Sequence, residues 1–540
     1  MEVAQTTPSP LVPEPLPREK QKRTRVVEFA WSLRGREVSA SPVLISLAGL
    51  ALLLHLAASG RYGFFRDELY YIACGDHLAW GYIDQPPLIA FVARLSGLLG
   101  KSLSAYRFFP ALAGASLILL AGLLTRELGG GRFAQLLVGI TIFLAPMYLA
   151  FGSFFSMNAF EPLFWMGCAY ILIRIVKGGA ERLWLAFGAV AGVGVLNKHT
   201  MLLFVFALFM GLLVTPERRH LRSKWFWLGA LVAFAIFLPN LIWEAQHNWP
   251  QIEVVRNAQN LKNTPIGPVR FFGEQILFLN PVTFPVVVGG LAWLLLSKDG
   301  KSFHCLGVAF FVVMAVFLIL NGKTYYPLPT YPMVIAAGAV GLETKAWNAR
   351  YRRLAVAYVA ILVLTGALML PFGVPVLPVE SLLTYQSVVP LAAAVKMERD
   401  SDTNLHQLYA DMFGWENIAA TVGSVYSGLP TFERERCAIL AGNYGEAGAI
   451  DFFGARYGLP KAISGHNNYY LWGARGYTGE VVILFGEHAE VIKTMFSEVV
   501  HVATIYNPHA VNAERYLPVY VCRKPRAPLT TLWPSLKYYI

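Results

Sequence analysis

Residues 66–88 read RDELYYIACGDHLAWGYIDQPPL, and they begin a few positions after an apolar run long enough to cross a bilayer. Four carboxylates lie in this stretch, and three of them, Asp67, Glu68 and Asp84, are of interest because they stand among tyrosines, a tryptophan and prolines. Carboxylates at a membrane boundary are costly unless they are solvated or paired, so they are candidates for function by default. The stretch therefore predicts a polar pocket at the membrane surface, next to the first membrane anchor.

The chain around this stretch is strongly apolar. Of its 540 residues, 56% are hydrophobic and 14% are charged, and the mean hydropathy is +0.48. This balance argues against a soluble protein and for repeated membrane spans. Apolar runs near spanning length begin at about residues 42, 105, 133, 157, 183, 200, 226, 281, 303, 328 and 354. We therefore predict a polytopic α-helical membrane protein with about eleven spans.

The basic residues indicate the orientation of these spans. Residues 1–40 are polar and basic and lack the apolar core of a removable signal peptide, so the first span is expected to act as the anchor. The net charge of +12 is spread over short clusters between apolar runs, which argues against nucleic-acid binding. Basic loops stay cytoplasmic, which places the N-terminus in the cytoplasm and the outer loop 61–104 outside. The clusters on the cytoplasmic side are Arg18 to Arg36, Arg126 and Arg132, Arg174 to Arg182, Arg218 to Lys224, Lys298 and Lys301, and Lys345 to Arg353.

The chain changes character after about residue 372. Strand-like runs such as CAILAGNYG, EVVILFG and VHVATIYN alternate with helical patterns, which predicts a small α/β domain. The predicted organisation is a cytoplasmic tail at 1–40, a transmembrane domain at 41–371 and an extracytoplasmic α/β domain at 372–540. Among five cysteines, Cys437 and Cys522 are the plausible late pair, and whether they form a disulfide is left open.

Aromatic residues accompany the carboxylates of the outer loop. Their flat faces suit either sugars or the interfacial belt of a membrane protein, and an aromatic belt alone would not need Asp84. A structural alternative is that Asp67 and Glu68 only cap a helix starting at Leu69. The aromatic residues in question are Tyr70, Tyr71, Trp80 and Tyr82.

The order of motifs resembles a known family. DELYY at 67–71, followed by GYIDQPPL at 81–88, resembles the first outer loop of the GT-C superfamily of membrane glycosyltransferases. The similar branch is the bacterial one related to protein O-mannosyltransferases and to the transferases that add aminoarabinose or galacturonic acid to lipid A. Later stretches resemble it too: SMNAFEPLFW at 156, LNKHTMLLF at 196, LPNLIWEAQHNWP at 238, GKTYYPLPTYP at 322 and NYGEAGAI at 443.

This resemblance implies an enzyme of the bacterial inner membrane. Its donor would be a sugar on a polyprenyl phosphate, and its acceptor a hydroxyl of lipid A, a cell-wall glycan or a protein at the outer membrane face. The sugar would move with inversion at the anomeric carbon. The family's catalytic aspartate falls on Asp67, expected to be the general base, and Glu68 would be a helper. A positioned carboxylate can accept the proton of a poorly nucleophilic sugar hydroxyl.

The partner of the donor phosphate is less clear from the sequence. Related lipid A enzymes carry E-K-P-P in the outer loop, where this chain has Asp84-Gln85, so Lys323 is the first substitute. Lys323 could equally be a snorkelling lysine at the end of a span. The further cations considered are Lys198, Arg66, Arg256 and Arg270. The complete set of expected substrate-binding residues is Tyr70, Tyr71, Asp84, Gln85, Asn158, Glu161, Lys198, His199, Lys323, Tyr325 and Tyr326.

Two matters stay open at this level. Asp67, Glu68, His77 and Asp84 could supply ligands for a divalent metal, but the outer loop that carries them has no D-x-D and no close histidine pair, so no cofactor is expected to be required. The alternative function is a membrane transporter or a flippase of polyprenyl-linked or other lipids. Such proteins usually show related halves with charges buried in spans, whereas the candidates here cluster at one face. The sugar, the acceptor and the oligomeric state are not identified.

Overall fold

The computed structural model describes residues 41–262, 266–346, 349–389, 403–487 and 489–540. The basic tail at 1–40, predicted to be cytoplasmic, lies outside the described residues. Residues 41–540 form one compact unit.

Helices build the part of the chain before residue 390. They are α1 (Pro42–Ala58), α2 (Arg66–Asp76), α3 (Leu88–Leu98), α4 (Leu103–Glu127), α5 (Arg132–Phe143), α6 (Pro146–Ser153), α7 (Met157–Val176), α8 (Leu183–Asn197), α9 (Thr200–Leu213), α10 (Lys224–Gln246), α11 (Pro250–Asn257), α12 (Pro268–Phe278), α13 (Phe284–Leu296), α14 (His304–Ile319), α15 (Tyr331–Ala346), α16 (Ala349–Gly373) and α17 (Val379–Val388). Short 3-10 helices cover Pro216–Arg222, Pro281–Thr283, Lys301–Phe303 and Leu328–Thr330, and a π-helical turn covers Ala258–Lys262.

Each of the eleven predicted apolar runs begins within about five residues of the start of one of these helices. Within the described ranges, five helices are long and apolar enough to cross a membrane by themselves: Leu103–Glu127, Met157–Val176, Lys224–Gln246, Lys301–Ile319 and Arg353–Gly373. Three further pairs of consecutive helices are bent at a short break, by 63°, 114° and 98°. If each pair is counted as one span, the number of candidate spans is up to eight. The protein is thus a polytopic helical membrane protein, and the count of about eleven crossings and their direction stay predictions.

Helix α2 begins at Arg66, directly after the loop at 59–65 that follows α1. The backbone N–H of Phe65, the N-cap residue, donates to Oε2 of Glu68 over 2.7 Å, and Asp67 and Glu68 both lie in the first turn. A side chain at the third helical position that bonds back to the N-cap N–H satisfies a donor that the helix leaves free. Glu68 therefore caps the helix, which starts at Arg66 and not at Leu69.

The loop between α2 and α3 is wound around a buried tyrosine. The hydroxyl of Tyr82 donates to the carbonyl oxygens of Cys74 and His77, both over 3.1 Å, and accepts from the N–H of Ala79. Tyr82 has no exposed surface, whereas Trp80 keeps 59% of its surface exposed. The hydroxyl thus satisfies backbone groups that have no helical partner, and the loop has one defined conformation.

The C-terminal region contains a four-stranded sheet. Its elements are α18 (Gln407–Ala410), α19 (Trp415–Gly428), α20 (Thr431–Arg434), β1 (Cys437–Ala441), α21 (Tyr444–Phe453), α22 (Asn468–Trp472), β2 (Val481–Phe485), α23 (Ala489–Met495), β3 (Phe496–Tyr506), α24 (Asn512–Arg515), β4 (Tyr516–Pro525) and α25 (Leu529–Leu532), with 3-10 turns at Gly454–Tyr457 and Trp533–Leu536. The strand order is β1-β2-β4-β3. Strands β1 and β2 are parallel, and β4 pairs antiparallel with β2 and with β3. The predicted α/β region is confirmed.

One face of this sheet packs against the first outer loop. Leu69 of α2 and Ile89 of α3 share a hydrophobic core with Ile439 of β1, Ile450 of α21 and Val519 of β4. Strands β1 and β2 are buried along their whole length, which explains why both are continuous apolar runs rather than alternating ones. The shared core fixes the C-terminal region to α2, the helix that carries Asp67.

All five cysteines are free and buried. Cys437 lies on β1 and Cys522 on β4, and strand β2 separates these two strands in the sheet. The pairing that the sequence left open is therefore not made.

Candidate active site

Asp67 lies in the first turn of α2 and keeps 29% of its side chain exposed. Its Oδ1 accepts a hydrogen bond from the hydroxyl of Tyr444 over 2.8 Å, and Nε of Arg66 lies 3.7 Å from the same oxygen. Among the described residues, no donor contacts the second oxygen, Oδ2. A carboxylate held by one oxygen and open at the other can accept a proton from a bound molecule.

A cavity of about 130 Å³ opens beside this carboxylate. It combines acidic, basic, amide and aromatic side chains, as ligand sites commonly do. Of the residues expected from the sequence, it brings together Asp67, Asn158, Lys323 and Tyr325. Its full lining is Phe65, Arg66, Asp67, Met147, Phe151, Phe154, Ser156, Asn158, Lys323, Tyr325, Gln407, Leu408 and Asp411.

Glu68, the expected helper of Asp67, points away from the cavity. It has no exposed surface and forms a two-pronged ion pair with Arg107 of α4, with both N···O distances at 2.9 Å. Its Oε1 also accepts from the N–H of Phe155 over 2.7 Å. Four donors therefore satisfy this carboxylate, counting the N–H of Phe65. Such a group fixes the start of α2 and has no site left for a substrate.

Tyr70, Tyr71 and Asp84 are not among the residues that line this cavity, and Tyr70 contacts the C-terminal region. The hydroxyl of Tyr70 donates to Oδ1 of Asp84 over 2.7 Å and accepts from the N–H of Asn468 over 3.3 Å. Burial raises the pKa of Tyr70 and Tyr71 well above the ordinary value, and the charges of Asp84 and Asp67 respectively act in the same direction. Both phenols consequently stay protonated, and that of Tyr70 donates to Asp84.

Gln85 is placed apart from the cavity. It is fully buried, and its side-chain amide donates to Sγ of Cys74 over 3.5 Å. Its role in binding a substrate was expected from its position in the D-Q-P-P turn, but in the fold it faces the interior of the loop. His199 likewise bonds to Oδ1 of Asn240 over 3.0 Å, and Asn240 holds the carbonyl of Trp80.

The remaining expected residues form a polar cluster next to the cavity. Nζ of Lys198 lies 2.8 Å from both Oδ1 of Asn158 and Oε2 of Glu161, and it sits 4.5 Å above the ring of Tyr326. Thr200 donates to the other oxygen of Glu161. We call Asn158, Glu161, Lys198, Thr200 and Tyr326 the Lys198 cluster. Asn158 joins this cluster to the cavity, since it belongs to both.

Some of the lining residues were not identified from the sequence. Gln407 and Asp411 come from the segment after the last membrane helix and carry no motif that would have marked them. Tyr444 lies in NYGEAGAI, a stretch that resembles the family but to whose residues the sequence analysis assigned no role. Two further cations are elsewhere: Arg270 pairs with Glu274 at 2.6 Å, and Arg256 lies on the exposed side of α11. Within the described residues, no group of three or more histidines, cysteines or carboxylates could hold a metal ion.

Comparison with known proteins identifies the class of protein that carries this site. Residues 84–243 match the family described as dolichyl-phosphate-mannose-protein mannosyltransferase. This match agrees with the GT-C superfamily of membrane glycosyltransferases, which the motifs of the chain resemble.

Individual relatives refine this assignment. The lipid A galacturonosyltransferase RgtD of Rhizobium johnstonii is 26% identical over 228 residues, which are 41% of this chain and 47% of the relative. The match thus spans about half the length of that protein. ArnT of Cupriavidus metallidurans bound to undecaprenyl phosphate has the same fold, with a TM-score of 0.59 and 13% identity over 89% of this chain and 98% of that one. The apo form of that protein gives a TM-score of 0.56 at 14% identity, covering 88% and 97% of the two chains.

Proposed function

We propose that this protein transfers a sugar from a polyprenyl-phosphate-linked donor to a hydroxyl of an envelope acceptor at the outer face of the bacterial inner membrane. The observation that carries the proposal is that Asp67, Lys323 and Arg66 line one cavity in a GT-C fold. A base and cations in the same cavity are what this displacement requires, since a proton must leave the acceptor while negative charge develops on the phosphate.

Asp67 is the general base in this proposal. As the acceptor oxygen forms its bond to the anomeric carbon, the bond from that carbon to the phosphate oxygen breaks, and the acceptor proton passes to Asp67. Attack from the side opposite the phosphate inverts the anomeric carbon. Proton acceptance by a positioned carboxylate contributes about 10²- to 10⁴-fold to the rate.

Lys323 is the proposed partner of the departing phosphate. The leaving group is already a phosphate ester, so it needs stabilisation of charge rather than protonation. Arg66 lies in the same cavity, but it also has two carboxylates near it, Asp67 with Oδ1 at 3.7 Å and Asp411 with Oδ1 at 3.8 Å. We assign the phosphate to Lys323, which lines the cavity, and the orientation of the two carboxylates to Arg66.

The acceptor class is supported by the relatives. RgtD is named as a lipid A galacturonosyltransferase, and the ArnT structure contains undecaprenyl phosphate. The second supports a lipid-linked donor, and the first favours lipid A over a cell-wall glycan or a protein as acceptor. The apolar part of the cavity wall, Met147, Phe151 and Phe154, provides a surface on which the first units of a lipid chain can lie.

The experiment compares envelope lipids and glycans from cells with and without the protein by mass spectrometry. It then measures transfer by purified protein in detergent with lipid-linked donors. We expect Asp67→Asn to abolish transfer while donor binding persists, and Lys323→Ala to raise the KM for the donor. Asp76→Asn is the matched control, because Asp76 lies on the same helix and is exposed, with only Arg94 near it at 3.5 Å.

Full transfer by Asp67→Asn would overturn the assignment of the base. A transporter or flippase would show no sugar transfer in detergent, where no second compartment exists. Absence of transfer by the wild-type protein with every donor offered, together with movement of a lipid across liposomes, would overturn the enzyme proposal.

A further inference from the structure

The segment NYGEAG, residues 443–448, connects strand β1 to helix α21. Asn443 is the N-cap of this helix, and its Oδ1 accepts from the N–H groups of Gly445 and Glu446, over 2.9 Å and 3.0 Å. The carboxyl group of Glu446 returns to the N–H of Gly442 over 2.9 Å. Because both ends of the turn are hydrogen-bonded, the direction in which α21 begins is fixed.

The two glycines of the segment bring α21 against α2. A Cβ atom at Gly448 would lie 3.0 Å from the backbone carbon of Leu69, and one at Gly445 would lie 2.5 Å from Cγ of Arg66. Leu69 and Arg66 flank the turn that carries Asp67. Only residues without a side chain permit this close approach of two helices, so the glycines determine how near the C-terminal region comes to the base.

At this contact, Tyr444 reaches Asp67. Its hydroxyl donates to Oδ1 over 2.8 Å, and the tyrosine is 94% buried, with a relative exposure of 6%. Its ring lies 4.7 Å from the rings of both Tyr70 and His466, and its backbone N–H donates to Nδ1 of His466 over 3.4 Å. The phenol has therefore little freedom to turn away from the carboxylate.

We propose that Tyr444 is a positioning residue through which the C-terminal region completes the catalytic site. The inference rests on the proposed function of Asp67 as base. The phenol occupies Oδ1 and so leaves Oδ2 as the oxygen that receives the acceptor proton.

The first test is Tyr444→Phe, which keeps the ring and removes the hydroxyl. Without the hydrogen bond, the carboxylate is free to turn away from the acceptor hydroxyl, so the loss falls on kcat. We expect kcat at neutral pH to fall on the order of ten- to one-hundred-fold, the usual worth of a hydrogen bond to a charged group. The KM for the donor should stay within about twofold, because the phosphate is held by Lys323 in this scheme.

Tyr469→Phe is the matched control for this variant. Tyr469 is also a buried tyrosine of the C-terminal region, and its hydroxyl donates to a carboxylate, Oδ2 of Asp451, over 3.1 Å. Its loss should leave kcat unchanged, even if the free energy of unfolding falls. A general loosening of the region would move both variants alike, whereas positioning moves only Tyr444→Phe.

The second test widens the contact between the helices. Gly448→Ala should push α21 from α2 and lower kcat in the same direction as Tyr444→Phe, while Gly428→Ala, at a position where an added Cβ meets no atom within 4 Å, should have no effect. Combining Tyr444→Phe with Gly448→Ala should cost little more than the first alone, because both act through one hydrogen bond.

The outcomes separate this inference from the proposed function. If Asp67→Asn is inactive and Tyr444→Phe has the kcat of the wild type, the base assignment stands and the positioning role is wrong. If Asp67→Asn is active, the proposed function itself fails, whatever Tyr444→Phe does.

Discussion

Asp67 and Glu68 are neighbours in the sequence, but their carboxylates belong to two different regions of the molecule. Glu68 is fully buried with Arg107, and four donors satisfy it. Asp67 faces a cavity and is held through one oxygen. A helix turns by about 100° per residue, so adjacent side chains point in different directions. One carboxylate thus builds the site and the other remains available to act in it.

The strongest test of this difference is Glu68→Gln. Removing the negative charge leaves the Arg107 guanidinium buried without its counterion, and breaking a buried pair in this way costs about 3–5 kcal/mol. We expect the free energy of unfolding in detergent to fall by this amount. Asp76→Asn on the same helix should change it by less than about 1 kcal/mol, because both partners of the Asp76–Arg94 pair are more than half exposed.

The double variant Glu68→Met with Arg107→Met sharpens the same point. Replacing a whole buried pair by apolar side chains is often close to neutral. If the single and double variants lose equal stability, the ion pair is not what holds the start of α2.

A smaller effect is expected for Lys198→Met. This variant tests whether the Lys198 cluster binds the substrate or only stabilises the fold. The ammonium group has 14% side-chain exposure and bonds to Asn158 and Glu161, so its loss should cost about 1–3 kcal/mol. Adding Glu161→Gln removes the carboxylate left without its cation and should restore most of the stability.

Transfer assays on these variants distinguish a substrate-binding role of the Lys198 cluster from a structural one. If the cluster contacts the substrate, as its link to the cavity through Asn158 suggests, the double variant recovers stability while the KM for donor or acceptor stays raised. Recovery of both properties together would make the cluster structural, like the Glu68–Arg107 pair.

The smallest effect is expected for Gln85→Met. Within the described part of the chain, the side-chain oxygen of Gln85 has no hydrogen-bond partner, and its amide reaches only Cys74. A methionine of similar volume should change the free energy of unfolding by less than about 1 kcal/mol and leave the KM for the donor unchanged. A raised KM, measured with the lipid-linked donor, would show that Gln85 binds the donor, as the sequence predicted.

Much of the fold could be predicted from the sequence because its signals are local. Apolar runs gave the helices of the membrane part, and apolar segments between turn residues gave β1, β2 and β3. The site was predictable in part: Asp67, Asn158, Lys323 and Tyr325 do meet at one cavity, although they come from three separate stretches. Family resemblance, rather than any spacing rule, brought these stretches together.

The rest depended on contacts between distant segments. Nothing local distinguishes Asp67 from Glu68, because the difference arises from Arg107, 39 residues away from Glu68, and from Tyr444, 377 residues away from Asp67. The same holds for Gln407 and Asp411, which carry no motif.

The sequence by itself thus determined that this is a multi-span membrane protein with a polar, aromatic loop after its first helix and a C-terminal α/β region, since hydrophobicity and turn chemistry are properties of short segments. The tertiary structure decided which carboxylate faces the cavity and which is buried. It also decided that the C-terminal region contacts Asp67. The environment of a charged group is set by the atoms that pack around it, and these can come from any part of the chain.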